Sequence, residues 1–121
     1  MTDEGDKRRD LVLRTKAFAV RVFRFAEALP PTLTGRTIAK QIARSGSSTA
    51  ANYRAAQRAQ TKAEFIAKLH DAREEADETA FWIELAIESG CVTDTKARLL
   101  FAEADDLTAI LSAATKTAKG R

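Results

Sequence analysis

The chain has 121 residues, a formal charge of +3 and one cysteine. This length suits one domain, over 1–121, with a single hydrophobic core. One cysteine excludes an intramolecular disulfide framework, and no apolar run in the sequence is long enough for an export signal or a membrane span. We therefore expect a soluble, cytoplasmic protein without a membrane partner.

The charges are divided unevenly along the chain. Residues 7–62 hold thirteen Lys or Arg and two acids, whereas residues 63–121 hold seven Lys or Arg and twelve acids. This asymmetry indicates a polyanionic partner for the first half, or pairing between the halves within or across subunits. A solvated face balanced by its neighbour is an equally simple interpretation, because charge distribution governs association more than fold.

The first predicted element is a helix from about Arg8, after a polar segment, 1–7, that we expect to fray. Its inward side follows steps of three and four residues, as an α-helix requires: Leu11, Thr15, Phe18, Val22, Phe25 and Leu29. Val20 and Phe23 widen this stripe, which suits contact with more than one neighbour. Pro30 and Pro31 end the helix, because proline lacks an amide donor.

The second helix is predicted to begin at Thr32 or Thr34 and to run to about Ala59. Its inward side starts with large apolar residues and continues with small and polar ones: Ile38, Ile42, Ser45, Gly46, Thr49 and Asn52. Glycine inside a helix costs about 1 kcal/mol relative to alanine, so Gly46 indicates a close approach by another backbone, or a kink.

The polar residues of this inward side are predicted to be structural. We expect Ser45, Thr49 and Asn52 to be buried and to have hydrogen-bond partners, since an unsatisfied buried amide costs roughly 1–3 kcal/mol. The alternative is that the serine cluster at 45–48 forms a turn between two short helices.

The opposite side of the second helix carries five cations at helical steps, separated only by small residues. We call them the basic stripe: Arg36, Lys40, Arg44, Arg54 and Arg58. A phosphate backbone can use this arrangement, because each neutralised phosphate releases condensed counterions. No aromatic residues alternate with these cations, so the pattern indicates neither base stacking nor sequence-selective recognition. The basic stripe is therefore our candidate nucleic-acid-binding site.

The third helix is the most clearly marked. Thr61 and Glu64 predict a capping box at its start, and Gly90 predicts its end. Its inward residues are Phe65, Leu69, Ala72, Ala76, Thr79, Ile83 and Ala86. About 29 helical residues span roughly 43 Å, which favours an elongated bundle.

The fourth helix is predicted to start at Thr93 or Asp94 as the cap, and residues 116–121 are expected to fray. Its inward residues are Leu100, Ala104, Leu107, Leu111 and Ala114. Four helices joined by short connections predict an all-α, antiparallel, up-down-up-down four-helix bundle. No strand-like alternation competes with this prediction.

Catalytic and metal chemistry have little support in the sequence. His70 is the only histidine, whereas carboxylate metal sites in bundles need Glu-x-x-His pairs on two helices. The acids at 71–78 point in different directions around a helix, so pairing with a basic stripe is the simpler interpretation. The serines at 45–48 and Cys91 lack a histidine base. We expect no enzyme, cofactor, metal or small-molecule substrate; a cleft where His70 and carboxylates converge would revive an enzyme.

Several motifs resemble a known family: Ala-Asn-Tyr-Arg-Ala-Ala at 51–56, Lys-Ala-Glu-Phe at 62–65, Glu-Glu-Ala-Asp-Glu-Thr at 74–79 and Trp-Ile-Glu-Leu at 82–85. Over about residues 16–115 the chain resembles the bacterial 23S rRNA intervening-sequence proteins, some of which are encoded inside insertions in large-subunit ribosomal RNA genes. The resemblance implies an antiparallel four-helix bundle that assembles as a ring-like homopentamer. It implies no settled activity.

A remote relative of this family in diversity-generating retroelements is a basic pentameric barrel that engages nucleic acid and a reverse transcriptase. The positions that match the family motif here are Arg44, Asn52, Arg58, Glu64 and Phe65. Many members have Ala-Glu-Gly shortly after the asparagine, whereas this chain has Tyr-Arg-Ala-Ala at 53–56. The change removes an acid and adds a base, which favours a polyanionic partner.

Two functional hypotheses follow. The first is a non-enzymatic oligomeric bundle that binds RNA, DNA or a ribonucleoprotein without sequence specificity through the basic stripe. The alternative is a structural or partner-docking scaffold, in which the basic stripe pairs with the acidic third helix of a neighbouring subunit. Exposure of the stripe favours the first hypothesis, and burial against the third helix favours the second.

Overall fold

The computed structural model describes residues 3–93 and 95–121 and is all-α, without a β-strand in those residues. Its helices are α1 (Asp3–Glu27), α2 (Leu33–Gln57), α3 (Lys62–Glu88) and α4 (Thr95–Lys119). Each helix packs against the next, and α1 also touches α4 over a smaller area. None of them, over the described residues, has the length and hydrophobicity that a membrane span requires. The prediction of an all-α protein with four helices is confirmed.

The amino-terminal end of α1 differs from the prediction. Residues 3–7 were expected to fray, but α1 is helical from Asp3; residues 1 and 2 lie outside the described residues. Glu4 and Arg8, one turn apart, form an ion pair at 4.0 Å. The Arg8 guanidinium lies 5.0 Å from the centroid of the Phe65 ring, a cation–π contact with α3. The Glu4–Arg8 ion pair within α1 and the contact of Arg8 with α3 both stabilise this end of the helix.

The carboxyl end of α4 differs in the same way. Residues 116–119 were also expected to fray and are helical. Thr115, just before them, is buried, and the Lys62 ammonium donates a hydrogen bond to the carbonyl oxygen of Arg121 at 2.5 Å. The start of α3 thus supports the end of α4, through a contact that local spacing does not reveal.

Threonine caps begin two of the helices. Thr32 Oγ1 accepts a hydrogen bond from the Gly35 amide at 3.0 Å, and Thr61 Oγ1 accepts one from the Glu64 amide at 3.0 Å. The Glu64 carboxylate accepts from the Gln60 amide at 2.7 Å, one residue before the amide that a standard capping box uses. Both caps satisfy amides that have no partner inside the helix.

The connection between α3 and α4 turns at Gly90, whose φ of 80° lies in the left-handed region that glycine adopts without strain. The next helix begins at Thr95. Asp94, one of the two residues expected to cap it, lies outside the described residues.

The inward stripes of the four helices meet in one main core. Its largest fully buried apolar side chains are Phe18, Val22, Ile42, Leu69, Ile83, Leu107 and Leu111. All seven belong to the stripes that the helical periodicity predicts. Val20 and Phe23, which were expected to widen the stripe of α1, are 49% and 45% exposed. No other element of the described chain covers these two residues fully.

Helix α2 runs unbroken through residues 45–48, so the alternative of a turn at the serine cluster is wrong. Gly46 is buried against α1. A Cβ atom at Gly46 would lie 2.6 Å from Val22 Cγ1 and 2.9 Å from Val22 Cβ. The close neighbour is a branched side chain, whereas we had expected a backbone or a kink. The absence of a side chain at Gly46 sets how near α1 and α2 approach.

The polar residues on the inward side of α2 differ from one another. Ser45 and Thr49 are completely buried, and the Thr79 hydroxyl of α3 donates a hydrogen bond to the Ser45 hydroxyl at 2.8 Å. Asn52 is only partly buried and donates to a carbonyl oxygen of its own helix at 3.0 Å. Tyr53 takes the inward position, and about 100° of rotation per residue moves Asn52 to the edge of the interface. The prediction that Asn52 is buried is wrong.

The packing at Gly46 makes a prediction for the substitution Gly46→Ala. We expect it to lower the free energy of unfolding by up to about 2 kcal/mol, because overpacking a core costs ~1–3 kcal/mol, from which the helix-propensity gain of ~1 kcal/mol is subtracted. Urea denaturation followed by circular dichroism measures the change. The cost should be smaller when Val22 is also replaced by alanine, which removes the methyl groups at 2.6 Å and 3.0 Å from the new Cβ and leaves only Val22 Cβ, at 2.9 Å.

Gly5→Ala is the matched control, because no atom lies within 4 Å of a Cβ at Gly5 in α1. This variant should be as stable as the original chain or slightly more stable. A Gly46→Ala protein that shows the same small gain would contradict the close approach of α1 and α2.

Candidate nucleic-acid interface

All five side chains of the basic stripe are exposed, four of them on α2 and that of Arg58 directly after its last residue. The steps of three and four residues place them in a row, and about 33 Å of helix separates the first from the last. They differ in what they contact. One is held by carboxylates of α3, one by a backbone carbonyl, and three have no partner among the described residues.

Arg44 is the member that is held by α3. Its Nη1 atom donates to Glu75 Oε1 at 3.1 Å, and its Nη2 atom donates to the Glu78 carboxylate. The Trp82 indole also donates to Glu78 Oε2, at 3.1 Å. We call Arg44, Glu75, Glu78 and Trp82 the arginine clasp. The planar guanidinium can bind both carboxylates at once, and each has its own nitrogen.

The arginine clasp shifts the ionisation of its members. The hydrogen bond with Glu78 is the main reason that the pKa of Arg44 lies above its ordinary value, against a smaller opposing effect of burial. Burial acts to raise the pKa of Glu78, but the hydrogen bonds from Arg44 and Trp82 outweigh it and the pKa lies below its ordinary value. Arg44 and Glu78 are therefore fully charged near neutral pH, and two carboxylates oppose the charge of Arg44.

The remaining cations lie on both sides of the arginine clasp. Arg36 donates to the Pro31 carbonyl oxygen at 2.7 Å and keeps its charge exposed at the start of α2. The side chains of Lys40, Arg54 and Arg58 make no hydrogen bond or ion pair with any residue that the structure describes. About 15 Å of helix separates Arg44 from Arg54. The carboxyl-terminal half of α2 therefore presents two unpaired arginines one turn apart.

His70 does not lie in a cleft of carboxylates. It borders a surface hollow together with Arg73, Lys116 and Lys119, and no acid is among the described residues that line this hollow. In the described part of the chain, no three His, Cys, Asp or Glu side chains are grouped to hold a metal ion. Cys91 is partly buried and accepts a hydrogen bond from the Ser89 hydroxyl at 3.4 Å. Among the residues that the structure describes, the contacts of Cys91 include no histidine, and His70 lies beside cations instead of acids in its hollow.

Sequence reasoning missed a second arginine that joins two helices. Arg14 of α1 donates to both carboxylate oxygens of Glu103 in α4, at 2.8 Å and 2.7 Å. The hydrogen bond with Glu103 raises the pKa of Arg14, and burial opposes it. The two residues are 89 positions apart. Local periodicity places each on the surface of its own helix and carries no signal that they meet.

Comparison with known proteins identifies relatives of this chain. The model of the family described as 23S rRNA-intervening sequence protein matches residues 8–113. A crystal structure of a protein of unknown function from the S23 ribosomal protein family of Bacteroides thetaiotaomicron superposes with a TM-score of 0.83. That protein is 33% identical, over 91% of this chain and 98% of its own. No curated protein matches the chain.

The arginine clasp predicts a pH-dependent effect of Glu78→Gln. At pH 7 we expect this variant to lose about 0.5–1 kcal/mol of unfolding free energy, the usual range for a partly exposed ion pair. A carboxyl whose pKa is depressed by folding stabilises the protein above its unfolded-state pKa and loses that effect as the pH falls through the folded-state pKa. The difference from the original chain should therefore shrink below about pH 4. Urea denaturation followed by Trp82 fluorescence measures it.

Glu84→Gln supplies the control, because Glu84 is exposed on α3 and has no ion pair with a described residue. It should change the stability little at either pH. Equal stability of Glu78→Gln and the original chain at pH 7, or a difference that widens in acid, would contradict the arginine clasp.

Proposed function

We propose, from the premise that this chain belongs to the 23S rRNA-intervening sequence protein family, that it is a non-enzymatic helical bundle that binds nucleic acid or a ribonucleoprotein without sequence specificity. The observation that carries the proposal is the pair of exposed arginines, Arg54 and Arg58, without a carboxylate partner among the described residues. Their positions on one side of α2 allow both to approach the same phosphate backbone.

The electrostatics of α2 support a polyanionic ligand. Residues 7–62 contain two acids, so few charges of the same segment oppose Lys40, Arg54 and Arg58. A cation that is exposed and unpaired gains the most from a phosphate, because the contact releases condensed counterions and breaks no existing ion pair. Arg44 would first have to leave Glu75 and Glu78. The proposed interface therefore uses the two ends of the basic stripe more than its centre.

The proposed assembly is an antiparallel, up-down-up-down bundle that forms a homopentamer, as the resemblance implies. The antiparallel order is supported by contacts on either side of the α2–α3 connection, where Ser45 meets Thr79 and Arg44 meets Glu78. Self-association is supported by exposed apolar side chains on α1: Leu13, Val20 and Phe23. A subunit interface would remove this apolar surface from water.

The alternative, a scaffold in which the basic stripe binds the acidic α3 of a neighbouring subunit, has its own support. A surface hollow beside the exposed Phe81 ring is lined by five acids: Glu74, Asp77, Glu78, Glu84 and Asp105. Asp77 and Glu84 have no ion pair with a described residue and could accept a neighbour's arginines. Under this alternative, lysine at both positions dissociates the oligomer in light scattering, whereas the nucleic-acid proposal leaves its mass unchanged.

The division of the basic stripe predicts which arginines matter for binding. We expect the double variant Arg54→Ala and Arg58→Ala to weaken binding to RNA and duplex DNA of mixed sequence. Because each lost phosphate contact removes about 0.7–0.9 from the magnitude of the slope of log affinity against log salt, that magnitude should fall by roughly 1.4–1.8. Fluorescence anisotropy at several salt concentrations measures affinity and slope together.

Arg44→Ala is the matched control from the same helix, since two carboxylates already oppose the charge of Arg44. It should change the salt slope much less than the double variant does. No binding at low salt, or identical slopes for the original chain and the double variant, would rule out the proposed interface.

A further inference from the structure

A cavity of about 630 Å³ lies between the carboxyl half of α1 and the start of α4. We call it the α1–α4 cavity. Residues from three segments line it: 21–28 at the end of α1 and just after it, 90–93 in the connection between α3 and α4, and 96–100 at the start of α4. Pockets that bind small molecules have volumes of roughly 300–1,000 Å³. The basic stripe lies on α2 and supplies none of the lining residues.

The cavity exists because α1 and α4 touch over a small area. Arg14 and Glu103 join the two helices through two hydrogen bonds of 2.8 Å and 2.7 Å. Arg21 lies about 10 Å further along α1, where the cavity begins. On the opposite wall, Leu99 of α4 is 58% exposed. The helices thus meet at the Arg14–Glu103 pair and leave an accessible space toward the α3–α4 connection.

The described residues that line the cavity carry charges of one sign. Arg21, Arg24 and Lys96 are among its lining residues, and no acid is among the described residues that line it. None of the three cations has a hydrogen bond or an ion pair with another described residue. The amide dipoles at the start of α4 add partial positive charge at the same end. An anion is therefore the complementary ligand, and it would displace no internal partner.

Part of the lining of the cavity is apolar. Phe25 contributes from α1, and Leu99 and Leu100 contribute from α4. Burial of an apolar group against them is worth roughly 25 cal/mol for each Å² removed from water. We propose that the α1–α4 cavity binds a small amphiphilic anion, in which an apolar chain or ring carries a carboxylate or a phosphate. The cations hold the head group, and the apolar walls hold the chain.

Isothermal titration calorimetry with three amphiphiles of equal chain length tests this proposal. Decanoate and decyl phosphate, below the concentrations at which they form micelles, should bind saturably at one site per chain. The tighter of the two identifies the preferred head group. Decyltrimethylammonium has the same chain and the opposite charge, so it should bind at least about tenfold more weakly, a difference of ~1.4 kcal/mol.

Substitutions locate the two parts of the site. Arg24→Ala should raise the Kd of the preferred anion about tenfold, which corresponds to ~1.4 kcal/mol. Leu99→Ser should also raise the Kd, because it removes an apolar side chain from the wall of the cavity. Both side chains are exposed, so neither change removes core packing. Arg98→Ala is the matched control, because Arg98 is exposed on the same helix and does not line the cavity.

Cys91, the only cysteine, lines the cavity and reports whether it is occupied. Saturating decanoate should slow the alkylation of Cys91 by neutral iodoacetamide. The proposal is overturned if neither anion binds saturably, if the ammonium amphiphile binds equally well, if Arg24→Ala leaves the Kd unchanged, or if the alkylation rate does not respond. Nucleic-acid binding by the basic stripe is measured separately and does not depend on these outcomes.

Discussion

The close packing of α2 at Gly46 and Ser45 is the constraint on which the rest of the structure depends. The absence of a side chain at Gly46 leaves room for Val22 of α1, and the Ser45 hydroxyl accepts a hydrogen bond from the Thr79 hydroxyl of α3. These two contacts fix the rotation of α2 about its own axis. Arg44 consequently lies at the edge of α3, within reach of Glu75 and Glu78. The same rotation directs the later cations of the stripe to solvent, so core packing determines which charges are neutralised.

Much of the fold could be predicted because helical periodicity is a local property. The spacing of apolar residues and the threonine caps at 32 and 61 locate the elements, and Gly90 marks a turn. Two features could not be predicted. One is the contact of Arg8 with Phe65, which holds the first turns of α1 against α3, and the other is the displacement of Asn52 by its neighbour Tyr53. Periodicity shows which residues share a face, but not which side chain of another helix each one meets.

The candidate site could be predicted only in part, because periodicity does not show which side chains of other helices its residues meet. The sequence places five cations in one row, and all five are exposed. It does not distinguish Arg44, whose charge two carboxylates oppose, from Arg54 and Arg58, which have no such partner among the described residues. The α1–α4 cavity was missed altogether, because its lining comes from three separate segments and no motif joins them. The family match identifies relatives of the chain, and the proposed function rests on the charge pattern of α2.

Nuclear magnetic resonance of the arginine side-chain nitrogens, followed while RNA is added, tests the central claim in a single sample. Before RNA is added, the guanidinium hydrogens of Arg44 should exchange with water more slowly than those of Arg54 and Arg58, because Arg44 donates to Glu75 and Glu78. On titration, the signals of Arg54 and Arg58 should shift while that of Arg44 stays in place. If the Arg44 signal shifts before those of Arg54 and Arg58, or if none of the three signals shifts, the division of the basic stripe into an ion-paired Arg44 and unpaired Arg54 and Arg58 is contradicted.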